Sequence, residues 1–315
     1  MFSLRQVFYI EPGRSLVRTL MDWPIFALCA PLFWAASNLV DARLLEGRVA
    51  NPISLVIITG LCAGVPAIVA FVTGSFQWIG WTNALLAVSA GIAGVAVYFP
   101  YLIALQRAPV SSVVLMWNLA PIFVVVLAWM VVHERLQGPE YVAIVLLVAS
   151  SMLAAYQRGR GRGWSQGLPW MIIASGLTAT EAILQKILFQ NTSFSAGYPW
   201  ISLSSFICAV VVAVANPEAR RILATAFRGR TAAILFANEF LDVAAAVASS
   251  RAMSLGPVSL VHAFGGLQPL FILALTGLFG AAPRTRALGR GHLARTAIAI
   301  GLAVVGLGLV GSTHQ

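Results

Sequence analysis

Glu239 and Asp242 stand three residues apart inside a long apolar run, a spacing that places both side chains on one helical face within about 5 to 6 Å. Two carboxyls that close in a low dielectric discourage each other's ionisation and titrate as a coupled pair, so a proton held between them can be released when a cation arrives. The structural alternative is that one carboxyl hydrogen-bonds Asn238 or an arginine near a helix end. Glu181 and Gln185, four apart, share a face of the preceding polar-bearing run, whereas Lys186 is rotated from Glu181 by about 140° and is free to extend toward the membrane interface. Trp34, Asn38 and Asp41 share a face by the same rule. A shift of 147 residues lays Trp34 on Glu181 and Asn38 on Gln185, which suggests matching positions in two halves. For Asn38, Gln185 and Glu181 the alternative is a polar patch gluing helices together.

The runs that hold these residues repeat. Pro109-Val110-Ser111, Pro121 and Phe123 return 148 positions later as Pro257-Val258-Ser259, Pro269 and Phe271. On a helical wheel Ser111, Val114, Asn118 and Pro121 form one stripe, and Ser259, His262, Gly266 and Pro269 form its copy. An interior proline bends a helix and frees a carbonyl, which a membrane tolerates only where protein or a wet cavity satisfies it, so Pro121 and Pro269 are expected kinks beside a cavity. His262 can titrate there or serve as a hydrogen-bonded structural group. Trp117 and Phe264 flank the stripes as walls or packing residues. Tyr98 and Tyr101 offer hydroxyls from another run, and Asn118 and Gln268 join the cavity candidates.

Composition decides the solvent. The chain is 59% hydrophobic and 10% charged, and 315 residues cannot hide that much apolar surface in one water-soluble core. About 20 apolar residues of helix cross the hydrocarbon, and ten runs qualify, at 24–40, 52–74, 84–105, 109–132, 141–156, 168–190, 199–215, 232–250, 257–281 and 293–311. Long continuous runs exclude a transmembrane barrel. The expected fold is therefore all-α: ten transmembrane helices as two inverted five-helix repeats, because an odd number of crossings per copy turns the second copy over. Residues 1–23 form an N-terminal segment without the features of a cleaved signal, 24–156 the first repeat, 157–167 an Arg/Gly linker and 168–311 the second repeat.

The net charge of +10 resides almost wholly in loop arginines, as topogenic charge beside anionic headgroups rather than a nucleic-acid face. Loops after the odd-numbered runs carry fourteen arginines against five on the other side, which favours both termini outside the cytoplasm. Cys29, Cys62 and Cys208 are scattered singly, so neither a disulfide framework nor a metal site is expected. No P-loop, His-Glu-x-x-His or Gly-x-Ser-x-Gly motif occurs, and no cofactor or catalytic residue is expected. Two other classes stay open: a non-transporting membrane sensor or partner subunit, and an intramembrane lipid-modifying enzyme using Glu239 and Asp242.

Tyr101-Leu-Ile-Ala-Leu-Gln-Arg-Ala-Pro-Val-Ser-Ser, running through Asn118, Pro121 and Phe123 to His133-Glu134-Arg135, resembles the first repeat of the drug/metabolite transporter superfamily, EamA type. Arg251-Ala-Met-Ser-Leu-Gly-Pro-Val through Gln268-Pro269-Leu270-Phe271 resembles the second repeat, and Trp34-Ala-Ala-Ser-Asn38 and Asn238-Glu239 are similar to an EamA-like subgroup. The resemblance covers about residues 24–311. It implies a ten-helix carrier in the inner (plasma) membrane that moves a small metabolite or drug by alternating access, with the solute and the lipid bilayer as its partners. It also implies cytoplasmic termini, against the arginine count, and names neither solute nor oligomeric state. The Glu134-Arg135 pair has no echo after the ninth run, where the chain reads Ala281-Ala-Pro-Arg-Thr-Arg.

Overall fold

A computed structural model of the protein describes residues 16–46, 52–108, 113, 116–155, 164–217, 229–278 and 290–313. Residues 1–15, Ser111, Val114, the linker at 157–163 and many loop arginines lie outside these. Every element among the described residues is a helix. The physical reason is that an apolar segment in hydrocarbon finds no water for its N–H and C=O groups, and helix bonds satisfy them within the segment.

In chain order the helices are α1 (Leu16–Glu46), α2 (Pro52–Cys62), α3 (Val65–Val72), α4 (Trp81–Arg107), α5 (Leu119–Val131), α6 (Gly138–Ala155), α7 (Trp164–Asn191), α8 (Phe194–Ala215), α9 (Gly229–Leu255), α10 (Val258–Phe264), α11 (Gln268–Leu278) and α12 (Arg290–Thr313). Among the described residues seven stretches are long and apolar enough to cross a membrane: 23–40, 81–104, 166–191, 194–215, 233–255, 258–278 and 295–313. Shorter apolar helices occupy 56–72, 119–131 and 138–154. Each of the ten expected runs holds helix where it is described.

Prolines interrupt three of the runs, each time with a repair. Pro66 follows the break between α2 and α3. There the Ala67 N–H donates to Ser202 Oγ of α8 at 3.1 Å, and that hydroxyl donates to the Ala63 carbonyl at 2.5 Å, so a side chain is inserted into the helical ladder. Pro121 pushes away the carbonyl four residues earlier, Trp117, which instead accepts from the Ala120 N–H at 3.0 Å. Pro269 does the same to Gly265, whose carbonyl takes the Gln268 N–H within the 3₁₀ turn Gly265–Leu267 that joins α10 to α11. The two turns are 148 residues apart, so the sequence repeat recurs as a backbone detail.

The helices meet in pairs that can be compared across the sequence repeat. The main pairs are α1 with α9 and α4 with α7; α1 with α11 and α5 with α7; α2 with α9 and α4 with α8. Within each couplet, exchanging the halves turns one pair into the other. The pairs α6 with α12, α2 with α8 and α5 with α10 map onto themselves. Small residues permit the close approaches: a β-carbon on Gly91 of α4 would stand 2.7 Å from the Ile201 carbonyl of α8, and one on Gly60 of α2 would press against Ala209.

Candidate functional site

α9 turns Glu239 inward until only 2% of it is exposed, and its Oε1 accepts a hydrogen bond from Thr59 Oγ1 of α2 at 3.2 Å. Asp242, on the same face one turn on, is half-buried. From α7, Glu181 accepts Gln185 Nε2 on its Oε1 at 3.0 Å, as their four-residue spacing dictates. Gln185 Oε1 accepts from Ser250 Oγ of α9 at 2.8 Å, and Tyr198 of α8 lies near Ser250. The Tyr98 hydroxyl of α4 lies within electrostatic reach of Asp242, Glu239, Glu181 and Tyr101. Acids of α7 and α9 thus lie within electrostatic reach of a tyrosine of α4. Gly94 leaves room for this: a β-carbon there would sit 2.9 Å from Glu181 Oε1.

Tyr101 extends the polar line toward an aromatic wall, with its ring edge-to-face against Trp117 at 5.1 Å. Trp117 and buried Asn118 occupy the turn ahead of Pro121, which is itself buried, so the kink places them against α7 rather than lipid. Gln268 and Pro269, at the equivalent turn, are half-buried. His262 on α10 is half-buried, with Nε2 enclosed and without a hydrogen-bond partner. Phe264 is a packing residue: it is buried and meets Trp23 edge-to-face at 5.5 Å. Asn38 is exposed. Lys186 turns from Glu181, as its spacing predicts, and its Nζ donates to carbonyls at the end of α9, Met253 at 3.1 Å and, just beyond the helix, Gly256 at 2.6 Å.

Glu181, Gln185 and Ser250 are thus joined by hydrogen bonds, Glu239 is joined to Thr59, Asp242 and Tyr101 lie within electrostatic reach of Tyr98, and Phe264 packs in the core. The structure adds Thr59, Ser250 and Tyr198, which the sequence did not single out. Serine and threonine in apolar helices commonly bond their own chain's carbonyls, and only cross-helix pairing tells the others apart. Among the described residues no three His, Cys, Asp or Glu side chains converge as metal ligands would.

Residues 21–156 match the model of the EamA-like transporter family. This stretch is EamA-like, as its motifs indicated. A solved structure, titled only as a crystal structure of a protein, is 18% identical with a TM-score of 0.69, and the match covers 92% of this chain and 98% of that one. Identity that low shows a common fold alone. No curated protein matches the chain. With an EamA-like first half and seven helices of spanning length and apolarity, the protein is a multi-pass membrane protein.

Proposed function

We propose that this EamA-like protein is a carrier that moves a small organic metabolite or drug-like solute across the inner (plasma) membrane by alternating access, as efflux or exchange coupled to protons. Its spans would form two inverted five-helix halves, 24–156 and 168–311, joined by the linker at 157–167. The observation that carries this reading is that Glu181 and Glu239 lie inside the membrane-spanning helices, hydrogen-bonded to Gln185 and Thr59, with Asp242 and Tyr98 within electrostatic reach. Each charge at such depth costs roughly 2.5 to 3.5 kcal/mol on insertion scales, so acids kept there face a cavity or a partner. The exchange symmetry of the helix pairs and the matched turns ahead of Pro121 and Pro269 support two related halves with the site at their seam.

The deciding experiment is a panel of radiolabelled solutes with purified protein in liposomes, with and without a pH gradient. Counterflow of at least one solute, accelerated by the gradient, is expected; no counterflow by correctly inserted protein returns the case to a sensor or partner subunit. The fourteen-to-five arginine bias further favours a cytoplasmic linker. A reporter active only in the periplasm, fused after Gln315, should then be active; activity of a cytoplasmic reporter alone would give the termini to the inside.

A further inference from the structure

Two charged side chains clamp the corner where α9 turns into α10 at Gly256-Pro257. Glu134, just beyond α5, accepts the Val258 N–H on Oε2 at 2.9 Å and the Ser259 N–H on Oε1 at 3.1 Å. These are donors that the first turn of a helix leaves without a partner. Lys186 of α7 donates to the Met253 and Gly256 carbonyls at the end of α9, which are equally unsatisfied by the helix itself. The two ions lie within electrostatic reach of each other. Trp23 of α1 closes over the corner, its ring 2.6 Å from where a Gly256 β-carbon would stand. Glu134 belongs to the first half, with Trp23 directly ahead of it on α1, and Lys186, Gly256 and α10 to the second, so the corner ties the halves together at one end.

The tie is built to be released. A cavity of about 460 Å³ beside it is lined by Glu134, Arg135, Gln137, Lys186, Gln190 and Pro257, so water can replace each bond as it breaks. In the sequence repeat Ala108-Pro109 stands 148 residues before Gly256-Pro257. There the tryptophan is kept, for Trp170 stands 147 residues after Trp23 and carries the Arg107 guanidinium 4.9 Å over its ring. The two charged residue types are not repeated in the sequence. Ala282 matches Glu134 at 148 residues and Leu39 matches Lys186 at 147.

We infer that Glu134 and Lys186 form a releasable latch that holds the α9–α10 end of the molecule shut. The inference rests on the carrier reading. It is tested with Cys29 and Cys208 replaced by serine, leaving Cys62 as the single thiol; Cys62 closes α2 midway through its apolar run, within electrostatic reach of Glu239. In oriented proteoliposomes a membrane-impermeant thiol reagent added on the Trp23 side is expected to label Cys62 slowly, and at least about tenfold faster in Glu134→Gln and in Lys186→Met. Unchanged labelling in both overturns the latch. Exchanging the charges, Glu134→Lys with Lys186→Glu, should stay fast, because lysine cannot accept the amide bonds and glutamate cannot donate to the carbonyls. Recovery of the slow rate would mean a plain ion pair and also overturns it.

Where those variants misfold, Trp23→Cys with Gly256→Cys decides, since the two β-carbons would lie 3.1 Å apart, close enough to be drawn into a disulfide. Oxidation should stop labelling of Cys62 itself, read by peptide mapping so that the two new thiols are not counted, and reduction restore it; labelling of Cys62 that persists after oxidation refutes closure at this end. Labelling reads the opening whether or not a solute crosses, so a protein that labels as expected but carries nothing fails the carrier reading alone.

Discussion

Glu239→Gln and Asp242→Asn should each slow solute exchange by at least about tenfold, or ~1.4 kcal/mol, and flatten its dependence on pH while the protein stays in the membrane. The amide in Glu239→Gln keeps an oxygen to accept the Thr59 hydroxyl, so the α2–α9 contact survives and what is lost is the capacity to exchange a proton. Asp242 shares that face and lies near Tyr98, so a loss at either position breaks the same coupled pair. The measurement is the initial rate of counterflow across a pH series in liposomes of equal protein content. Should both variants match the parent while Glu181→Gln or His262→Ala abolishes exchange, coupling belongs to α7 and α10. Silence of all four would make these groups structural.

Gly91→Val should cost more stability than any surface change, about 1 to 3 kcal/mol or above, by forcing apart two helices that touch through backbone. The first added carbon would already stand 2.7 Å from the Ile201 carbonyl and 2.8 Å from Ser204 Cβ. Neither neighbour is the far end of a flexible side chain, so α4 must shift away from α8. Ser204 Oγ would then lose the Val88 carbonyl that it meets at 2.9 Å, leaving a polar pair unsatisfied inside the bundle. Thermal unfolding in detergent reads the loss as a lowered midpoint. Gly176→Ala is the contrast, because nothing lies within 4 Å of the added carbon and the midpoint should hold. Equal midpoints for Gly91→Val and the parent would refute the close α4–α8 approach.

The helices were legible because hydrocarbon leaves a chain few choices: apolar runs near spanning length must satisfy their own backbone, and every expected run contains helix where it is described. The repeat was legible for a related reason. Proline acts through its own covalent structure, so Pro121 and Pro269 displace the carbonyls of Trp117 and Gly265 wherever the helix lies, and the turns follow from sequence spacing. Local spacing also set the Glu181–Gln185 bond and the divergence of Lys186, since both depend on the helical period alone.

What the sequence did not contain was which faces meet. Thr59 and Glu239 are 180 residues apart, and Ser250 and Gln185 are 65 apart, so neither pairing leaves a periodic trace in either helix. Glu134 read as half of an ion pair with its neighbour Arg135, yet it bonds the backbone of a helix more than a hundred residues away. Phe264 and Asn38 had the residue types of a cavity wall, and packing sent one into the core against Trp23 and left the other exposed. A helix of small and apolar residues presents several nearly equivalent faces to its neighbours, and shape decides among them. The glycines at 60, 91 and 94 mark where backbones can close, but only the assembled bundle determines that Gly94 makes room for Glu181 and Gly91 for Ile201.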